Sequence, residues 1–200
     1  MFGLKLDYSA PGSFSVYIYM DTKNILEASF KNQTAAADQM KNLGYTYDKG
    51  LSTNESKVFI DPMGKPHIAF RGSKRLSDFA IDDALIGLGL PQYSRRVNEA
   101  KALTQKVEQK YGQPADTFGW SLGGYLAENA GNKGNVVTYN KFAPPADIGK
   151  TISKRQTDIR VGTDLPSLAA VTQKYKGQIK TLPAVLGVLP AHGLENLKYL

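Results

Sequence analysis

Ser121 lies in Gly119-Trp120-Ser121-Leu122-Gly123-Gly124, a G-x-S-x-G stretch between an apolar run that reads as a strand and a segment that reads as a helix. A serine at a sharp strand-to-helix turn holds a strained backbone, and side chains on its neighbours would collide, so glycines flank it. The turn displays the hydroxyl at the carboxyl edge of a sheet, where a helix amino terminus favours developing negative charge. That is the geometry of nucleophilic attack. A serine also needs a base, and the chain has two histidines, His67 and His192. His67 opens the run to Phe70, at the amino-terminal edge of a parallel strand and away from Ser121, so it reads as a strand-end or turn residue. His192 stands in a late loop, Pro190-Ala191-His192-Gly193.

In α/β hydrolases the triad runs Ser…Asp…His along the chain, with the histidine in such a late loop. By that order His192 is the expected base, against a plain reading as a surface-loop histidine. The orienting carboxylate then falls between them, and Asp147, Asp158 and Asp164 are candidates. Asp164 follows the strand Asp158-Ile159-Arg160-Val161 and a Gly162-Thr163 turn, which puts it at a strand's carboxyl end. Asp158 begins that strand, on the wrong edge. Asp147 follows Pro144-Pro145 and reads as a helix cap or salt-bridge residue. Asp164 is favoured, its plainer role being a turn residue before Pro166.

These residues must be carried by regular elements. Phe14-Ser15-Val16-Tyr17-Ile18-Tyr19 alternates within residues 1–20 and predicts a short strand or extended arm. Residues 21–43 favour helix, stopped at Gly44. A hairpin pattern follows over 57–61 and 67–70, across Pro62-Met63-Gly64-Lys65-Pro66. Leu76 to Leu88 is an apolar-rich helix candidate. Ser94 reads as the N-cap of a helix running to Tyr111 and closed by Gly112. Val97, Ala100, Leu103, Val107 and Tyr111 recur on one stripe of it, predicting a buried face. Short strands are expected at 115–118, 135–139 and 157–161, with a helix over 122–130 ended by Gly131. Strands alternating with helices predict one α/β domain, a mostly parallel central sheet with helices on both faces.

Composition narrows the chemistry. The 200 residues include 42% hydrophobic, 22% charged and 10% aromatic side chains, a globular profile that excludes collagen-like, coiled-coil and disordered chains. The chain lacks cysteine, which excludes disulfides, thiolate zinc sites and cysteine nucleophiles. Two histidines exclude a multi-histidine metal cage. The longest apolar stretch, Pro183 to Ala191, is far below the roughly 20 residues that span a bilayer. The start MFGLKLDYSAPG lacks a secretory pattern. The net charge of +7 gathers in residues 94–200, with fifteen basic and eight acidic side chains. Lys150, Lys154, Arg155, Arg160, Lys174, Lys176 and Lys180 are dispersed and lack an interleaved aromatic platform, which argues against nucleic acid. A solvated basic face is the plain reading, and attraction to an anionic membrane surface the functional one. Gly149-Lys150-Thr151 fails as a phosphate loop because Pro144 stands where glycine is required.

Phe70-Arg71-Gly72-Ser73, Phe79 after Asp78, the GWSLGG turn, Gly162-Thr163-Asp164-Leu165-Pro166 and Ala191-His192 together resemble the class 3 lipases, over about residues 57 to 200. The resemblance implies a three-layer α/β-hydrolase-like fold with a lipase-like core over 57–200 and an N-terminal extension, 1–56, packed on it in one domain. It implies a triad of Ser121, Asp164 and His192, with oxyanion-hole donors at Ser73 and at the backbone N–H of Leu122. The lid of that family corresponds here to 76–88. Trp120 departs from the family's usual histidine before the serine, and the family's extra strand before the long helix is barely visible. Compact chains ending in A-H-x-x-x-N (Ala191, His192, Asn196) are similar to lipase-like proteins of viruses and mobile elements, so virion or cytoplasm are the compartments to consider.

The resemblance implies acyl transfer to Ser121 with His192 as base and Asp164 orienting it, no cofactor, no metal, and a lipid or small ester as substrate. No obligate protein partner is inferred. A peptidase or thioesterase would use the same triad. The alternative from another class is a catalytically silent lipase-like structural or binding protein, since a fold does not guarantee an activity.

Overall fold

The structure, a computed structural model, describes residues 13–73, 91–144, 147–162, 172–183 and 193–199. Asp61 seeds the hairpin: its Oδ1 accepts from the N–H groups of Met63 (2.9 Å) and Lys65 (2.8 Å), closing a turn in which Gly64 takes φ +86°. β2 (Ser56–Ile60) and β3 (Pro66–Phe70) therefore pair antiparallel, with Val58 opposite Ile68, and β1 (Thr46–Tyr47) adds to the outer side of β2. From β3 onward the sheet is parallel, through β4 (Asp116–Trp120), β5 (Val136–Tyr139), β7 (Gln156–Val161) and β9 (Gln178–Leu182). The seven strands run in the order β1-β2-β3-β4-β5-β7-β9. A separate parallel pair, β6 (Thr151–Ile152) and β8 (Lys174–Tyr175), lies apart from it.

The alternation along the strands divides the core in two. Phe59, Ala69, Phe118, Val137, Tyr139 and Ile159 face α1 (Ser13–Phe30) and α2 (Gln33–Lys41), whose Ile25, Leu26, Ala28, Ala36 and Met40 are fully buried. Val58, Ile68, Phe70 and Val136 face the other way, against Ala100 and Val107 of α3 (Pro91–Tyr111) and Leu126 and Ala127 of α4 (Leu122–Asn129). Helices thus cover both faces, as the sequence predicts. Ala100 and Val107 lie at the centre of the expected stripe, with Val97, Leu103 and Tyr111 packed at its margin.

Several elements differ from expectation. Residues 13–20 are helical, not strand, because a six-residue alternation is a weak signal beside an 18-residue helix anchored in the core. The single helix expected over 21–43 is two. Asn32 breaks it: at φ −63° and ψ 166°, its Oδ1 accepts the Ala35 N–H at 2.9 Å and caps α2. Ser94 is not an N-cap, since α3 begins at Pro91, a residue whose fixed φ and missing N–H suit a first turn. The β6–β8 pair and β9 were not foreseen. The helix candidate at 76–88 lies outside the described residues.

α1 contributes fully buried side chains, Ile25, Leu26 and Ala28, to the core. Leu26→Ala is expected to lower unfolding free energy by about 2–5 kcal/mol, read from the urea midpoint, whereas a loss below about 0.5 kcal/mol would contradict the burial described.

Candidate active site

The carboxyl ends of the parallel strands come out level. Phe70 is opposite Gly119, Trp120 opposite Tyr139, and Tyr139 opposite Ile159. Ser121 sits just past the end of β4 with φ 56° and ψ −125°, a region L-residues rarely occupy, and α4 starts at the next residue. The glycines make that turn feasible. A Cβ on Gly119 would lie 2.0 Å from the Gly123 carbonyl oxygen, and one on Gly123 would lie 2.2 Å from that of Phe70. A Cβ on Gly72 would meet the Trp120 carbonyl oxygen at 2.7 Å and the Ser121 Cβ at 3.4 Å. Backbone rests on backbone at the exit of β3, the end of β4 and the first turn of α4.

Hydrogen bonds then fix the serine's own peptide groups. Its N–H donates to the Tyr139 carbonyl (3.1 Å), and its carbonyl accepts from the N–H groups of Gly124 (2.9 Å), Tyr125 (3.2 Å) and Phe142 (3.2 Å). Its side chain is treated differently. Ser121 is 4% exposed, and its buried Oγ has no hydrogen-bond partner among the described residues. An unmet buried hydroxyl costs about 1–3 kcal/mol, and a catalytic role is one of the explanations such a group calls for.

Of the two expected oxyanion donors, Leu122 is the first residue of α4, where N–H groups have no acceptor within the helix. Ser73 follows the Gly72 contact directly. The strand exit that carries it is clamped through Arg71, a residue of the sequence motif, by two that the sequence did not single out, Glu55 and Arg96. Arg71 donates its N–H to the Glu55 carbonyl (2.9 Å) and its Nη2 to Glu55 Oε1 (2.6 Å), while Arg96 Nη2 reaches the Arg71 carbonyl at 2.9 Å.

His67 is placed as its plainer reading anticipates. It is opposite Asp116, at the amino-terminal edge, five positions before Ser121 along β4, roughly 16 Å at strand rise. Its Nε2 lies 3.2 Å from Asp61 Oδ2. Asp164 and His192 lie outside the described residues. The chain on their flanks is tied to the site's edge: the Val161 N–H donates to Asn140 Oδ1 (2.8 Å), and the Tyr139 hydroxyl donates to the carbonyl of Gly193 (2.8 Å). Asn140 itself has φ 41°, a conformation asparagine tolerates better than most residues.

The other two candidate carboxylates are engaged elsewhere. Asp147 pairs with Lys150 at 3.3 Å, as the salt-bridge reading expects. Asp158 belongs to a buried polar cluster. It accepts from Thr138 Oγ1 (2.6 Å), Gln156 Nε2 (2.7 Å) and the Tyr175 hydroxyl, and it pairs with Lys141 at 3.0 Å. Lys141 also pairs with Glu128, whose other oxygen is 2.7 Å from Lys150. Burial alone would raise the Glu128 carboxyl, but the Lys141 and Lys150 ammoniums outweigh it and hold Glu128 below its ordinary range. Asp158 is likewise held low: desolvation opposes ionisation, and Lys141 with the hydroxyl and amide donors overcomes it. Burial, then the Asp158 charge, pushes the Tyr175 phenol far up. The sequence hint was a lysine and a glutamate inside otherwise apolar segments. Among the described residues no cluster of metal-ligating side chains occurs, and no described helix is long and apolar enough to cross a membrane.

No protein-family model and no curated protein matches the chain. Solved structures do resemble it. A deletion mutant of the Rhizomucor miehei lipase propeptide complex superposes with a TM-score of 0.58 over 94% of this chain and 79% of that one, at 14% identity. The native form of the complex gives 0.51 over 83% and 70%, at 13% identity. A mutant form of MDLA from Penicillium cyclopium gives 0.57 over 88% and 83%, at 11% identity. At these identities the likeness is one of fold, and the fold is lipase-like.

Two outcomes follow from the geometry. Gly123→Ala is expected to unfold the turn or abolish Ser121 reactivity, whereas Gly64→Ala, in open space at φ +86°, should cost only about 1–2 kcal/mol; equal effects in urea melts would contradict the close approach. The lowered carboxyls of Glu128 and Asp158 contribute stability that is complete above their ordinary unfolded values and is lost as pH falls through their folded ones. The urea midpoint should therefore drop below about pH 4, and Glu128→Gln should make that drop shallower.

Proposed function

We propose that the protein is a serine hydrolase of the α/β-hydrolase, class 3 lipase kind, cleaving carboxylic esters of lipids such as acylglycerols or phospholipids. The observation that carries the reading is Ser121: a strained backbone, glycines pressed against neighbouring main chain, and a buried hydroxyl with no partner among the described residues. A turn that only reversed the chain would gain nothing from that strain. Ser121 is the nucleophile. His192 takes its proton and later returns one to the leaving alcohol, and Asp164 holds the imidazole in the useful tautomer and stabilises its charged form. The N–H groups of Leu122 and Ser73 receive the oxyanion, each worth about 10²–10³ in turnover. Water then releases the acid from the acyl-enzyme.

The lipase-like neighbours support an ester substrate over other acyl compounds. Lipid headgroups meet a thinner basic face than the sequence suggested. Lys150 is taken up in ion pairs, and the Arg160 guanidinium lies over the Tyr175 ring at 5.4 Å. Lys154, Lys174 and Lys176 stay exposed, and they are the cations we assign to an anionic membrane surface.

The test is labelling with a fluorophosphonate ester, with and without anionic vesicles. Wild-type protein should carry one probe on Ser121, identified by peptide mass, with none on Ser121→Ala and a rate at least about 10³-fold slower on His192→Ala. Folded wild-type protein that takes no probe under either condition would leave the silent lipase-like module as the better reading.

A further inference from the structure

Lys141 is 3% exposed, yet it carries a charge that three elements compete to hold. Its ammonium pairs with Glu128 of α4, lies 3.0 Å from Asp158 of β7, and donates to Gln173 Oε1 at 3.1 Å, just before β8. Burying three charges together is seldom the cheapest way to stabilise a core, because desolvation consumes most of the Coulombic gain. Apolar residues of similar volume would pack there at least as well. The position of Lys141 in the chain explains the choice better than stability does.

The backbone of Lys141 is part of the wall behind the serine turn. A Cβ on Gly124 would come within 3.2 Å of Lys141 Cα and 3.1 Å of its Cβ, so the first turn of α4 lies directly against it. The residue after it, Phe142, donates its N–H to the Ser121 carbonyl at 3.2 Å. The residue before it, Asn140, binds the end of β7 through its N–H to the Ile159 carbonyl (2.8 Å) and through its Oδ1. Ser121 keeps φ 56° only while its surroundings over-determine it.

We propose that Lys141 is a positioning residue for Ser121: by tying α4 and β7 to its own ammonium, it locks Asn140-Lys141-Phe142 against the serine turn and holds the hydroxyl at its working position. This rests on the reading of Ser121 as the nucleophile. Without the tie, the first turn of α4 can ease away and the serine backbone can relax toward negative φ. A shift of about 1 Å in a reacting atom costs on the order of 10²-fold in rate, while substrate binding elsewhere is untouched.

The experiment uses p-nitrophenyl butyrate with wild type, Lys141→Met, and the triple variant Lys141→Met, Glu128→Gln, Asp158→Asn, which leaves no buried charge unpaired should the single variant fail to fold. End-point labelling with a fluorophosphonate ester counts active serines irrespective of how fast each acylates, so turnover is expressed per titrated site and is insensitive to any unfolded fraction. The triple variant is expected to melt cooperatively, with kcat per titrated site down about 10- to 100-fold and KM within about 2-fold of wild type. A triple variant that matches wild type per titrated site, or that loses labelled sites alone, would show Lys141 to be purely structural and overturn the proposal. Wild type that takes no fluorophosphonate label removes the nucleophile reading as well, whereas a labelled wild type with an unaffected triple variant removes only the role of Lys141.

Discussion

Gly123 has room for a hydrogen and nothing larger. With the Phe70 carbonyl where its Cβ would stand, and its own carbonyl filling the space beside Gly119, the first turn of α4 is drawn onto the ends of β3 and β4. Everything at the carboxyl edge follows from that approach. It goes with φ 56° at Ser121, it sets Gly72 against the serine's Cβ, and it carries Ser73 to the same edge as the Leu122 N–H. A side chain at any of these glycines would prise the helix from the sheet, and the strained conformation would relax.

The approach is costly, so the rest of the domain is organised to sustain it. A residue outside the usual φ/ψ regions and an unmet buried hydroxyl each cost about 1–3 kcal/mol. On one face the restraint is apolar: α1 buries Ile25, Leu26 and Ala28, and Phe30 at its end meets the Trp120 ring at 4.9 Å, next to the serine. On the other face the apolar core against α3 and α4 is joined by an ionic cluster, Glu128, Lys141 and Asp158, between α4 and the sheet. The two differ in character because their demands differ. Dispersion holds broad surfaces together without direction, whereas an ammonium shared among fixed acceptors specifies one arrangement of the elements that carry them.

What was legible in the sequence was whatever depends on local pattern. The G-x-S-x-G turn, the hairpin around Asp61 and the stripe on α3 each have a short-range signature, and all were found where expected. His67 lies at the amino-terminal edge that strand direction alone predicts. The helical start at Ser13 was missed because six alternating residues suit a strand or one side of a helix, and only the packing of α1 on the sheet decides between them. The break at Asn32 needed the capping geometry that only the folded chain displays. Lys141 and Glu128 stand out in the sequence only as charges inside apolar segments, and their pairing is illegible for a deeper reason. A lysine and a glutamate thirteen positions apart say nothing of pairing until β5 and α4 are laid side by side.

The central claim is that Ser121 is held so that charge developing beside its Oγ falls between the N–H groups of Leu122 and Ser73. A crystal structure of the phosphonylated protein tests it most directly, since the phosphonyl oxygen stands in for the oxyanion. The claim predicts phosphorus on Ser121 Oγ, with that oxygen about 3 Å from both nitrogens and Ser121 still at positive φ. An adduct on another residue, or an adduct on Ser121 whose oxygen faces solvent with the serine relaxed to negative φ, would contradict it.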